Sequence, residues 1–324
     1  MTTKESREVM QLLFLGTGAG MPSKQRNTSA LALKLLEERG SVWLFDCGEG
    51  AQHQILHTTI KPRKIEKVFI THLHGDHIFG LPGLLGSRSF QGGDEALEIY
   101  GPPGIKEFVE TFLRISRTHL SYPIIFHEEM DGMIFEDEEI MVETALLDHV
   151  IPSYGFRITQ KPLPPKLIIE KALALGVPKG PLLATLKEGQ DVSLEDGKTV
   201  KSEDVTEPGE RGFIVSILGD TRYCEAAVYL SRDADVLVHE ATFDGNTQKL
   251  AREYGHSTII EAAETALKAG AKTLIANHLS ARFLPEDEKQ LLSQMRAVHS
   301  DSYIASDFAE FEWLQQKKEI KKKK

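Results

Sequence analysis

The sequence predicts a layered α/β fold, and three observations carry that prediction. Short β-like runs alternate with helical ones along the 324 residues. Several of those runs are almost wholly apolar and end in polar residues, as buried strands do when they deliver side chains to a sheet edge. The composition, 41% hydrophobic and 27% charged, is that of an ordinary globular chain.

The elements follow in order. QLLFLGTGAG is a strand running into a glycine-rich turn, and TSALALKLL with SVWLFDCG a strand pair. GEGAQHQILHTTI is a helix, KVFITH a strand, and GDHIFGLPGLLGSRSF a loop and helix. LEIYGPPG leads into KEFVETFLRIS, an amphipathic helix. RGFIVSILGDT, DVLVHEATF and TLIANHLS are buried strands with polar ends. HSTIIEAAETALKAGAK is a helix, with Ser257 expected as its cap and Gly270 as its stop. One stretch breaks this rhythm: residues 160–200 are dense in proline and glycine around a short helical piece, the mark of an insertion in a single domain spanning 1–324.

No apolar run approaches the roughly 18 residues of a membrane span, so no membrane partner is expected. The polar start MTTKESREVMQ lacks a signal-peptide core. Two cysteines without a CxxC pair argue against a disulfide scaffold or a cysteine-ligated metal and suit a cytoplasmic location. The formal net charge of −10 argues against a polyanionic partner until its distribution is considered. Residues 128–148 hold nine acids and no Lys or Arg, whereas 157–190 hold six bases against two acids. The tail 315–324, QQKKEIKKKK, adds six lysines. Separated basic segments can still meet a nucleic acid locally.

The chemistry concentrates in THLHGDHIFG, residues 71–80. His72 and His74 point the same way if the chain stays extended, Gly75 permits a sharp turn, and Asp76 and His77 then form a second pair. Neutral imidazole and carboxylate are zinc-type ligands, and two pairs suggest two metals. Each metal needs about four ligands. His149, Asp220 and His278, each at the polar end of a β-like run, can supply the remainder, with Asp220 as a bridging carboxylate.

This set, an HxHxDH motif followed by distal His, Asp and His, resembles the metallo-β-lactamase superfamily. The resemblance implies an αββα four-layer sandwich with a binuclear site at one edge. One Zn2+ would take His72, His74, His149 and Asp220, and the other Asp76, His77, Asp220 and His278, with Mn2+ as an alternative ion. Asp46 in LFDCGEG matches the superfamily's aspartate that orients a ligand from behind the site. Two such ions lower the pKa of bound water to about 7 and stabilise attacking and leaving oxygens, which suits hydrolysis without choosing its substrate.

Three further motifs narrow the choice. GTGAGMPSKQRNTSA, residues 16–30, places Lys24, Arg26 and Asn27 beside glycine-rich backbone, a combination that suits phosphate. HEAT, 239–242, and HST, 256–258, put Glu240 where it can orient His256 as a proton donor. Together PSKQRN, FDCGEG, THLHGDH, HEAT and HST resemble the ribonuclease Z family, the transfer-RNA 3′-processing endoribonucleases, over roughly residues 11–310. The short run before the first motif resembles the family's short form, which implies a homodimer. The 160–200 segment resembles the family's flexible arm, or exosite, with Gly176, Pro178, Gly180 and Pro181 near the substrate-contacting tip. The resemblance implies a precursor tRNA substrate recognised by shape. It implies Asp76 as proton acceptor for water, His256 as donor to the leaving 3′ oxygen, and products with a 3′-hydroxyl on the tRNA and a 5′-phosphate on the trailer. The alternatives are a hydrolase of small phosphodiesters or aryl sulfates on the same fold, and an RNA-binding protein with a dead metal site.

Overall fold

The computed structural model describes residues 10–35, 39–162, 166–207, 211–314 and 319–322. It divides into two compact units, one formed by Met1–Phe135, Val142–Ile158 and Ile214–Lys324, the other by Glu136–Met141 and Thr159–Phe213.

Two large sheets organise the first unit. In spatial order one consists of Glu319–Lys322, Glu310–Leu314, Gln11–Gly16, Ala30–Leu35, Ser41–Phe45, Ile65–Phe69, Leu97–Tyr100 and Ile124–His127. The other runs Ser302–Ile304, Thr273–Asn277, Val236–Glu240, Ile214–Leu218, Tyr154–Gln160, Ile140–Leu146 and Gly132–Glu136. Their central strands are buried on both faces, which is why they read as unbroken apolar runs rather than as alternating ones. Aromatic rings fill the space between the sheets: Phe45 stacks on Phe69 with centroids 4.9 Å apart, and Phe156 of the opposite sheet meets Phe69 edge-on at 5.3 Å.

Helices cover the outer faces. Ala51–Leu56, Leu81–Phe90 and Ile105–Ser116 bury Ile55, Leu84, Leu85 and Val109 against the first sheet. Glu225–Leu230, Ile259–Ala269 and Glu288–Val298 bury Leu230, Ala262, Ala266 and Met295 against the second. Helix, sheet, sheet, helix is the four-layer order expected. The cap of Ile259–Ala269 falls one residue later than Ser257: Thr258 accepts from the Glu261 amide while the Glu261 carboxylate accepts from Thr258 N, a complete capping box, and Gly270 ends the helix at φ 68°. Ser257 Oγ instead donates to Thr221 O at 2.7 Å.

The parallel strands Ile214–Leu218, Val236–Glu240 and Thr273–Asn277 run in register, so their C-terminal ends lie side by side at one sheet edge. Glu240 closes its strand, and Asp220 and His278 follow theirs, where site residues collect in α/β sheets. In the first sheet Asp46 and His72 follow the strands Ser41–Phe45 and Ile65–Phe69 in the same way.

The second unit, Glu136–Met141 with Thr159–Phe213, includes the proline- and glycine-dense residues 160–200. It has a core of its own, with Ala172, Val177, Leu186, Val192, Val200 and Val205 buried among three short helices and a two-stranded hairpin. Part of the basic tail, residues 315–318 and 323–324, lies outside the described residues; Glu319–Lys322 is a strand antiparallel to Glu310–Leu314. Among the described residues no helix is long and apolar enough to cross a membrane.

Candidate metal centre

The His72–His77 stretch lies beyond its strand, which ends at Phe69, and His77 sits in the short helix Gly75–Ile78. The extended chain at His74 and the turn at Gly75 separate the histidines into the two expected pairs. Glycine is required behind them: a Cβ on Gly48 would lie 2.3 Å from Asp76 O and 2.4 Å from Thr28 Oγ1.

All seven residues expected around the metals are brought together. His72, His74, His149 and Asp220 form one set of converging donors, and Asp76, His77 and His278 another. In the first set His72 Nε2 is 3.1 Å from His74 Nδ1 and 3.6 Å from Asp220 Oδ2, and His149 Nε2 is 3.3 Å from His74 Nδ1. In the second, His77 Nε2 is 3.3 Å from His278 Nε2, 3.5 Å from Asp76 Oδ2 and 3.6 Å from Asp220 Oδ2. The same Asp220 oxygen therefore belongs to both.

The opposite ring nitrogens decide the tautomers. His149 Nδ1 faces the Gly255 carbonyl at 2.6 Å and His77 Nδ1 the Asp46 carboxylate at 2.7 Å; both partners can only accept, so Nδ1 carries a proton and Nε2 is the nitrogen left to face a metal. Two threonines do the same at one remove. Thr71 Oγ1 donates to Asp46 Oδ2 at 2.9 Å and so accepts from His72 Nδ1 at 3.0 Å. Thr242 Oγ1 donates to Glu240 Oε2 at 2.8 Å and accepts from His278 Nδ1 at 2.9 Å. Each buried carboxylate thus holds one histidine directly and another through a threonine. Glu240 completes the pattern with His256, whose Nδ1 is 3.0 Å from Glu240 Oε1.

This donor set fits divalent metal. Imidazole lone pairs facing one another with no proton between them repel unless a cation lies between. The 3.1–3.6 Å spacings match the donor–donor edge, roughly 3.3–3.6 Å, of a tetrahedron built on metal–ligand bonds of about 2.0–2.2 Å. Burial pushes the pKa values of His72, His74 and His149 down, favouring the neutral ring a metal requires. Burial also opposes charge at His77, but Asp220 and Asp46 outweigh it and hold that pKa well above the ordinary value: the field there favours positive charge. Burial likewise opposes ionisation of Asp76 and Asp220, and the surrounding histidines overrule it, holding both carboxylates ionised. His256 is pushed up to about 9, burial being outweighed by the charge and hydrogen bond of Glu240. Asp46 and His278 both carry positive φ, 56° and 57°, unusual for residues other than glycine and a sign of local strain at the site.

A cleft of about 330 Å³ is lined by Gly20, His74, Asp76, Asp220, His256 and His278 together with Phe243, Leu250, Tyr254 and Arg282. The glycine-rich loop reaches it: Gly20 N donates to Asp76 Oδ2 at 2.8 Å, and Gly18–Ala19 pairs with Leu279–Ser280 directly after His278.

The structure corrects one assignment in that loop. Arg26 is buried, its guanidinium donating to Thr17 Oγ1 at 2.7 Å and Ala305 O at 2.6 Å and pairing with Glu288 at 2.5 Å, so it braces the loop from inside rather than meeting phosphate. Asn27 is likewise engaged, Nδ2 with Glu49 O at 2.8 Å and its amide with Asp307 Oδ2 at 2.7 Å. Lys24 is exposed. Gly176, Pro178, Gly180 and Pro181 belong to the second unit, where Gly176 at φ 90° ends one helix and Pro181 begins the next after Gly180. Sequence reasoning missed Thr71, Thr242, Arg282 and Tyr254; the THLHGDH and HEAT motifs contain Thr71 and Thr242, and no motif pointed to Arg282 or Tyr254.

The chain is 56% identical over 302 residues to the Ribonuclease Z of Anoxybacillus flavithermus, covering 93% of this chain and 97% of that one. It is 55% identical to the Ribonuclease Z of Geobacillus kaustophilus at 93% and 98% coverage. Among solved structures, the short form of human tRNase Z superposes with a TM-score of 0.67 at 32% identity, covering 93% of this chain and 98% of that one. The metallo-β-lactamase fold protein YhfI of Bacillus subtilis superposes at 0.66 with 20% identity, covering 94% and 99%, a likeness of fold. Residues 10–163 match the family described as Anti-Pycsar protein Apyc1.

Proposed function

The chain belongs to the ribonuclease Z family, and from that premise we propose how its residues carry out tRNA 3′ processing. It is an endoribonuclease of metallo-β-lactamase fold acting on tRNA precursors. The observation on which the mechanism rests is the meeting of two donor sets at one Asp220 oxygen beneath an open cleft.

His72, His74, His149 and Asp220 would hold one divalent ion and Asp76, His77, Asp220 and His278 a second, with zinc the ion the nitrogen-rich donors favour and manganese an alternative. When bound, the metals supply a water-derived nucleophile and offset charge on the scissile phosphate. Asp76, ionised at the cleft wall, takes the proton of the attacking water. Glu240 fixes the His256 ring through Nδ1 and keeps it protonated at neutral pH, which leaves Nε2 to hand a proton to the departing 3′ oxygen. The tRNA then leaves with a 3′-hydroxyl and the trailer with a 5′-phosphate. Lys24, exposed on the glycine-rich loop, contributes a charge available to phosphate.

The Thr159–Phe213 segment, with exposed Lys166, Lys171, Lys179 and Lys187, serves as an RNA-contacting exosite through phosphate contacts. A homodimer is proposed, as the likeness to the family's short form suggests. The cytoplasm is proposed as its compartment, supported by two free cysteines.

The test is cleavage of two 3′-extended tRNA precursors, one with and one without CCA, with the cut mapped to the nucleotide. Cutting beside the discriminator base, abolished by chelation and restored by zinc or manganese, is expected. A folded, metal-loaded enzyme that leaves both intact while hydrolysing a small phosphodiester would overturn the reading.

A further inference from the structure

The cleft has a wall that the proposed reaction does not use. Phe243 is buried in it, and Tyr254, 57% exposed, stacks against Phe243 with centroids 6.4 Å apart and planes 19° apart. Over the Phe243 ring lies the guanidinium of Arg282, 4.8 Å from the centroid. Arg282 is not loosely placed. Its Nε donates to Ser280 Oγ at 3.0 Å, and Ser280 belongs to the short strand that follows His278 and pairs with the glycine-rich loop. Ring and hydroxyl together fix the plane of the guanidinium and leave its terminal N–H groups for another partner. Among the described residues no carboxylate pairs with Arg282, whereas Arg26 is buried and pairs with Glu288. Arg282 is therefore an uncompensated, oriented cation in a cleft whose floor is built from Asp76, Asp220 and histidines.

We infer that Arg282 and Tyr254 form a nucleotide subsite beside the metal centre, Arg282 binding the phosphate next to the scissile one and Tyr254 stacking the intervening base. The inference rests on the endoribonuclease reading above. Single-stranded RNA is held in this way, by aromatic faces that accept any base and guanidinium groups that grip phosphate in a fixed geometry. The aromatic wall would hold the flanking nucleotide unstacked from its neighbours, so that the scissile phosphate lies over the shared Asp220 oxygen. A folded acceptor stem alone does not provide that alignment.

The test uses the full-length, metal-loaded enzyme. Wild type, Arg282→Ala, Arg282→Lys, Tyr254→Ala and Tyr254→Phe are compared on a precursor tRNA, on the same precursor with an abasic nucleotide on either side of the cut, and on bis(p-nitrophenyl) phosphate. Metal content and thermal unfolding are followed for every variant. On the intact precursor Tyr254→Ala is expected to raise KM roughly tenfold, with Tyr254→Phe near wild type, because the ring rather than the hydroxyl stacks. With one of the two abasic precursors the Tyr254→Ala penalty is expected to vanish. Arg282→Ala is expected to raise KM for RNA with Arg282→Lys restoring only part, while turnover of the small phosphodiester, which has no neighbouring phosphate, stays within about twofold. Equal Tyr254→Ala penalties on intact and both abasic precursors would overturn the inference, as would an Arg282→Ala loss of the same size on the small substrate. If wild type cuts the small phosphodiester but no precursor, the endoribonuclease reading itself falls; wild-type cutting with indifferent variants removes only the subsite.

Discussion

The hydroxyl of Thr242 accepts the Nδ1 proton of His278 at 2.9 Å while passing its own proton to Glu240 at 2.8 Å. The threonine thereby determines which His278 nitrogen carries the lone pair aimed at Asp76 and His77. Thr242→Val keeps the volume but removes the relay, whereas Thr242→Ser keeps it. Thr242→Val is expected to weaken metal binding about 10–100-fold, the usual effect of losing a ligand's outer partner, with Thr242→Ser near wild type. Competition with a chromophoric chelator reads the difference; equal affinities for the two variants would remove Thr242 from the metal site.

Glu240 and His256 act on proton transfer in the proposed reaction. His256→Ala is expected to lower kcat on precursor tRNA about 10²–10⁴-fold while changing KM little, and Glu240→Gln to fall between it and wild type. His256 Nδ1 also lies 3.7 Å from Asp220, so metal content is measured in parallel. A loss of activity that tracks lost metal would assign His256 to metal binding instead.

The Thr159–Phe213 segment carries a core of its own, with Ala172, Val177, Leu186, Val192, Val200 and Val205 buried. Substituting residues 166–207 by a short Gly-Ser linker is expected to abolish precursor cleavage at micromolar RNA while small-phosphodiester turnover persists. Loss of both activities in a folded variant would contradict an exosite role.

Phe69 stacks on Phe45 and on Tyr100 at 4.9 Å each and meets Phe156 of the facing sheet. Phe69→Ala leaves a void that neighbours on two sheets cannot close. It is expected to destabilise by about 3–5 kcal/mol in urea unfolding. A cost under about 1 kcal/mol would mean that the sheets are not held together at this ring.

Glu98 gives the acid side of stability a specific origin. Burial disfavours its charge, but hydrogen bonds from Lys67 and Tyr100 overcome that and hold its pKa below the ordinary 4.5. A carboxylate with a lowered folded-state pKa binds fewer protons folded than unfolded near that pH. Its stabilisation is thus present above about 4.5 and is lost as pH falls through the folded value. Glu98→Gln is expected to lower stability at pH 7 and to flatten the decline of Tm below pH 4.5. An unchanged slope would place the acid sensitivity elsewhere.

The layered architecture was legible because strands buried on both faces must be apolar through their middles, and Gln11–Gly16, Val236–Glu240 and Thr273–Asn277 each hold three or more consecutive apolar residues in the sequence itself. The pairing of His72 with His74 and of Asp76 with His77 was legible because local backbone geometry, extended chain and then a glycine turn, separates residues only two to five positions apart. The tie between Glu240 and His256 could be named from motifs. The orientation of Arg26 could not. Whether an arginine faces solvent or is drawn inward depends on Glu288 and the Ala305 carbonyl, more than 250 residues away, and no local pattern encodes that. The same holds for Thr71, Thr242, Tyr254 and Arg282: a threonine becomes a proton relay only where folding sets a carboxylate on one side and an imidazole on the other. The sequence by itself determined the layers, the chemical types of the donors and the order in which the chain delivers them to one sheet edge. Tertiary structure alone decided which nitrogen of each histidine faces inward, that a single Asp220 oxygen serves both donor sets, and that Arg26 is paired inside the protein while Arg282 lines the cleft. Hydrogen-bond direction and charge compensation are properties of neighbours in space, and those neighbours come from strands and loops far apart in the chain.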